Sequence, residues 1–170
     1  MNGHRKPRRP RWVKSINTLD IALQRATKFT PAEIAKRMEP LREALTMLRC
    51  GMAQEQHWQC LASAVTVSLS IEKKGVVRGL IEHLTTADHI LAAIKARCTA
   101  QGGWKPTALY FYEIEAMATA VSLFAFQLGE LSAQEYDQAF QHARAENARV
   151  GGIAVQATAA TSFTHAPTSA

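Results

Sequence analysis

"AQEQHWQCLASAVTVSLSIEKK", residues 53–74, decides the fold. Val65-Thr66-Val67 alternates as a strand would, but a strand must pair, and no other segment of the chain offers a candidate partner. From Leu61 to Ile71 the residues are small or apolar on nearly every face of a helix. That pattern predicts a central helix packed on several sides rather than one with a single buried stripe.

The segments flanking it carry helical periodicity. Upstream, "TPAE" at 30–33 is a helix start: Thr30 caps, Pro31 takes the first helical position and Glu33 closes a capping box. Ile34, Met38, Leu41, Leu45 and Leu48 then form a core seam, in which Pro40 should kink or reset the helix. Cys50–Gly51 ends that element. Downstream of Lys74, Gly75 breaks or bends the chain, and Val76, Val77, Leu80, Ile81, Leu84, Leu91 and Ile94 predict an amphipathic helix to about Arg97. "GGWKPT" is a turn, after which Thr107 is expected to cap a helix with Leu109, Ile114, Met117, Val121, Phe124 and Leu128 on one stripe. "SAQE" at 132–135 is a second capping box, opening a last helix through Tyr136, Ala139, Phe140 and Ala143. Before all of these, "NTLDIALQRAT" places Leu19, Ala22, Leu23 and Ala26 on one face of a short leading helix. The expected fold is an all-α single bundle of five main helices plus that short N-terminal helix, spanning residues 18–150. A basic arm (1–17) precedes it and an uncharged, flexible tail (151–170) follows. A body of this size buries about two-thirds of its unfolded surface and needs no staples.

Charge is segregated along the chain. It holds 20 Lys+Arg and 14 Asp+Glu, for a net charge of +6. Arg5, Lys6, Arg8, Arg9, Arg11 and Lys14 precede Ser15 with no acid among them; without these six, 14 cations face 14 acids. The whole excess therefore sits in an extended, proline-spaced arm, a form suited to phosphate contacts along a nucleic-acid backbone, with Trp12 able to stack on a base. A basic arm on a neutral body predicts a different partner from a basic fold.

Chemistry-bearing motifs are scarce. There is no GxSxG, Walker loop or GxGxxG. Cys50, His57 and Cys60 would share a face only on a continuous helix, which Gly51 interrupts, and no fourth ligand lies near; no metal or cofactor is expected. Helical Glu-x-x-His pairs are missing as well. Glu113 and Glu115, two apart on a helix, point to different sides and make a poor acid–base pair, although both suit the helix N-terminus. The aromatics Tyr110, Phe111 and Tyr112 beside the turn are expected to pack its underside. Ser63, Ser68 and Ser70 are expected to bond back to their own helix. Three cysteines without CxxC spacing, no secretory pattern and no apolar run long enough for a bilayer suggest a reduced, cytoplasmic protein without a membrane role.

Around "VVRGLIEHL" (76–84) and "GGWKPTALYFYEIEAM" (102–117) the chain resembles a group of small uncharacterised helical proteins of proteobacteria, over roughly residues 10–150. Some of that group are labelled Fis-type transcriptional regulators. The resemblance implies a helical fold in a bacterial cytoplasm. Fis-type regulators read DNA with a C-terminal helix-turn-helix, whereas the last helix here has only Arg144 and Arg149 as cations, so no site residue is carried over.

Two functional expectations follow. One is a non-enzymatic accessory protein contacting DNA or RNA through its arm, in transcription or on a mobile element. The other is a protein-interaction module (adaptor, inhibitor or homodimer), with Trp58, Trp104, Tyr110 and Phe111 marking its working patch.

Overall fold

In a computed structural model of the chain, the described residues are 19, 22, 23 and 26–149. The arm, most of the leading helix expected over 17–27, and the tail lie outside them. Leu19, Ala22, Leu23 and Ala26 are all exposed.

Five helices follow in order: α1 (Pro31–Arg49), α2 (Glu55–Lys74), α3 (Ile81–Thr99), α4 (Phe111–Glu130) and α5 (Ala133–Arg149). The all-α bundle is therefore present, and the Val-x-Val stretch is helical. α2 packs against each of the other four helices, and α4 also touches α1 and α3. The reason is compositional. Leu61, Ala64, Val65, Val67, Ser68, Ser70 and Ile71 are all buried, so α2 has little face left for water.

Thr30 caps α1 as expected: its Oγ accepts from the Glu33 amide at 3.3 Å, while the Glu33 carboxylate accepts from the Thr30 amide at 2.8 Å. Met38, Leu41, Leu45 and Leu48 are buried, joined by Ala44. Pro40 does not reset the helix, which runs unbroken to Arg49. Its missing N–H leaves one carbonyl, that of Lys36, without its helical partner, and packing of the seam on both sides outweighs that loss. The helix stops at Cys50, followed by Gly51 at φ 67°.

Two helix starts fall later than their apolar patterns suggest. Val76 to Leu80 are not helical, and α3 begins at Ile81. Gly75 ends α2 at φ 75° and Gly79 turns at φ 93°, conformations that a right-handed α-helix cannot contain. The apolar character of this link still has a structural use, since Val77 is buried in the core. The α3 N-terminus is capped from the previous helix: a Glu72 carboxylate oxygen accepts from the Gly79 and Leu80 amides at 2.6 and 3.2 Å. Likewise, Thr107 does not cap α4. That helix starts at Phe111, and the Thr107 hydroxyl lies 3.5 Å from the Cys98 thiol instead. Leu109 packs on the core from the extended link, while Met117, Val121, Phe124 and Leu128 hold the stripe.

α5 opens on the second capping box, with Ser132 and Glu135 exchanging bonds at 2.8 and 3.3 Å. Lys28 pairs with Ser132 as an isolated antiparallel bridge and forms an ion pair with Glu130 at 3.1 Å. The chain thus joins the bundle at the C-terminal end of α4.

Candidate functional site

The seven residues expected to grip nucleic acid, Arg5, Lys6, Arg8, Arg9, Arg11, Trp12 and Lys14, lie outside the described residues. What the structure does build is the end of the bundle where the α1–α2 and α3–α4 links meet. The Trp104 indole N–H donates to the Ala53 carbonyl at 2.7 Å, tying the two links together. Trp58 donates to the Leu91 carbonyl at 2.8 Å, and its ring lies 6.2 Å from that of Trp104, with the Lys95 ammonium 4.8 Å over it. Both tryptophans are half-buried, so they brace the end rather than present a free surface.

Beside them stands a group that sequence reading placed differently. Tyr110, Phe111 and Tyr112 are 57, 75 and 59% exposed and do not pack beneath the turn. The residue buried there is Glu113, at 1% exposure. Its two oxygens accept from the two terminal nitrogens of Arg97, both at 2.7 Å, and one also accepts from the Tyr110 amide at 2.9 Å. A carboxylate at the third position of a helix turns inward here because a guanidinium from the end of α3 meets it with matched geometry. The bond to Glu113 holds Arg97 charged, raising its pKa, and the guanidinium also lies 5.1 Å over the Tyr110 ring. Tyr110 in turn stacks on Tyr112, with centroids 5.7 Å apart and planes within 6°. The "E" of "YFYEIEAM" at helix position three was the available sequence signal. Its partner, sixteen residues earlier, carried none.

Among the other chemical candidates, His57 is already engaged: it accepts from the Gln54 amide at its Nδ1, 2.9 Å away, and so serves as a helix cap. Cys50 is exposed, Cys60 half-buried and Cys98 buried. Among the described residues, no three His, Cys, Asp or Glu groups are placed to hold a metal ion.

Ser70 does not bond back to its helix: its hydroxyl lies 3.1 Å from Nδ1 of His142 on α5, and Glu146 approaches the same nitrogen at 3.8 Å. A catalytic triad needs serine and carboxylate on opposite ring nitrogens, so this contact ties α2 to α5 without activating the serine. Thr66 does bond back, to the Ala62 carbonyl at 2.8 Å. An open depression of ≈ 460 Å³ lies by Lys28, Glu130, Ser132 and Glu135, whose polar groups already pair with one another.

Of the cations considered for a basic face, Arg42, Arg49, Lys73, Lys74 and Arg78 are all exposed, yet they do not converge. α1 and α2 pack on one another through the short link at 50–54, which places Arg49 and the Lys73–Arg78 group at opposite ends. Among the described residues, no helix is long and apolar enough to cross a membrane. The chain matches no protein-family model, no curated protein and no solved structure.

Proposed function

We propose that this is a non-catalytic helical binding protein that contacts nucleic acid through its cationic N-terminal arm, with a cytoplasmic role in transcription or on a mobile element. One observation carries the reading: all of the excess charge of a +6 chain lies in six cations before Ser15, on a body that balances to zero. Such an arm acts through phosphates, with affinity but little sequence preference. The test is binding of duplex DNA and of single-stranded RNA by the full chain and by a version starting at Ser15, across a salt series. For six phosphate contacts on duplex DNA, log affinity falls with log salt at a slope of about −5. Truncation removes nearly all of that dependence. Binding indifferent to the arm would sink the reading.

A second reading has its own support in the exposed Tyr110, Phe111 and Tyr112. In it the bundle is a protein-interaction module and the arm only solubilises it. Exposed aromatics grouped at one end are characteristic of association surfaces.

A further inference from the structure

We propose that the aromatic end of the bundle, centred on Phe111 and Tyr112, is a self-association face that docks on the same face of a second copy of this chain. The inference narrows the second reading above to one partner and one surface.

The first ground is preorganisation. Burying a carboxylate is costly even when it is paired, and replacing such a pair with apolar residues is often neutral or stabilising. Here the buried Glu113 clamps Arg97 and the Tyr110 amide, Arg97 covers Tyr110, and Tyr110 stacks on Tyr112. The chain of contacts holds Tyr110 and Tyr112 in fixed positions at the surface, with Phe111 on the backbone between them. Rings already fixed lose little freedom on docking, and that lowers the cost of association.

The second ground is area. A fully buried aromatic removes about 150–250 Å² from water, so three rings exposed to 57, 75 and 59% still offer roughly 380 Å². Met52, 60% exposed, lies on the link that Trp104 ties to this end. Two copies meeting through these rings bury on the order of 800 Å², the size of a weak, transient contact.

Charge selects the occupant. A two-fold contact presents one patch to itself, so a rim of one sign would repel its copy. This rim has exposed Lys105 and exposed Glu115, allowing Lys105 of one copy to face Glu115 of the other. The same balance disfavours a nucleic-acid strand. Arg97 is neutralised by Glu113, and the other cations at this end, Arg49, Lys95 and Lys105, are offset in part by the exposed Glu55 and Glu115. The face is also a whole helix length, about 30 Å along α4, from Lys28, where the chain joins the bundle.

The experiment is sedimentation equilibrium of the full chain from 1 to several hundred micromolar, beside Phe111→Ser and Tyr112→Ser. Both side chains are exposed, so an unchanged helical circular dichroism signal is the control for folding. The expected result is a reversible two-chain species in the native protein, with its dissociation constant raised at least tenfold by each substitution. A dimer that both substitutions leave unchanged would overturn this face while keeping the interaction-module reading. A native chain that stays monomeric would overturn self-association altogether. If that monomer binds a single-stranded oligonucleotide less tightly after Phe111→Ser, the face belongs to nucleic acid and the interaction-module reading falls with the inference.

Discussion

Arg97 and Glu113 meet through two parallel hydrogen bonds of 2.7 Å, joining the last turn of α3 to the first turn of α4 across the eleven-residue link between them. The carboxylate is 1% exposed, while the arginine side chain keeps 31% of its surface in water. Removing the arginine therefore strands a charge that cannot reach solvent. Arg97→Ala is expected to lower unfolding free energy by about 3 kcal/mol, within the range for breaking a buried pair. Arg97→Lys recovers only part of this, because an ammonium cannot match both oxygens. Urea unfolding of the three proteins at neutral pH checks both statements. A loss below about 1 kcal/mol for the alanine variant would mean that water reaches Glu113.

Cys50 and Cys60 should separate cleanly in a thiol-labelling experiment. Cys50 is exposed. Burial, with the nearby Glu43 carboxylate adding to it, pushes the Cys60 thiol up to about 11. The thiolate is the reactive form, so at pH 8 roughly a thousandth of Cys60 is competent to react. Brief iodoacetamide treatment of the folded protein, read by intact mass and peptide mapping, should modify Cys50 and spare Cys60 and Cys98. Denaturant should make all three react.

The α5 cap makes stability depend on acid. Backbone and side-chain hydrogen bonds from Ser132 hold the Glu135 carboxyl below its ordinary value. A group depressed in the folded state contributes fully above its unfolded pKa and loses that contribution as pH falls through its folded one. Ser132→Ala should cost about 1 kcal/mol at pH 7, the usual value of a lost cap. The gap between native and variant should narrow between pH 7 and pH 3, as Glu135 takes up its proton through its lowered folded pKa. Urea midpoints at the two pH values decide it, and a gap of constant width would show that the carboxylate takes no part. Glu33 is lowered in the same direction by Thr30, so the native protein should soften in acid at two helix starts.

Gly75→Ala should destabilise through the backbone. Gly75 sits at φ 75°, and an added Cβ would come within 2.7 Å of the Arg78 guanidinium. That side-chain end is exposed and can move aside, but the left-handed conformation remains, costing roughly 1–2 kcal/mol for a residue with a Cβ. Gly75→Asn should lose less, since asparagine tolerates this region. The order native, asparagine, alanine in thermal midpoint is the measurable outcome.

The helices were legible because each signal was local. Thr30–Glu33 and Ser132–Glu135 are reciprocal caps three residues apart, and the steps from Met38 to Leu48 lie on one helix face. The errors arose where a distant residue supplied the decisive partner. Val76 to Leu80 carried helical periodicity, but Glu72 reaches across to cap Gly79 and Leu80, so α3 starts at Ile81. Thr107 had the chemistry of a cap, yet Glu113 caps the Tyr110 amide while bound to Arg97. Ser70, on an apolar helix, has the ordinary signal for back-bonding, but its hydroxyl lies against His142 of α5. The aromatic face is legible in part: Tyr110 and Phe111 belong to the patch expected of an interaction module, while Tyr112 and the fixed arrangement of the rings carry no signal in the sequence. The expectation that Tyr110 to Tyr112 pack beneath the turn fails because Glu113 takes the inward position, and one helix register cannot bury both.

Trp104→Phe should loosen the aromatic end without unfolding the bundle. The indole N–H is the donor to the Ala53 carbonyl, and Ala53 is 4% exposed, so phenylalanine leaves a buried acceptor with reduced access to water. The cost of such an unsatisfied group is about 1–3 kcal/mol. The α1–α2 link, residues 50–54, should feel it first, since Trp104 is the strut that holds this link against the α3–α4 one. Amide hydrogen exchange should therefore speed up at Met52 to Gln54 well before it changes at Leu61 to Ile71 in α2, which is packed against four helices. Uniform acceleration along the chain would mean instead that the tryptophan supports the whole core. No change at residues 52–54 would mean that the two links hold together without it.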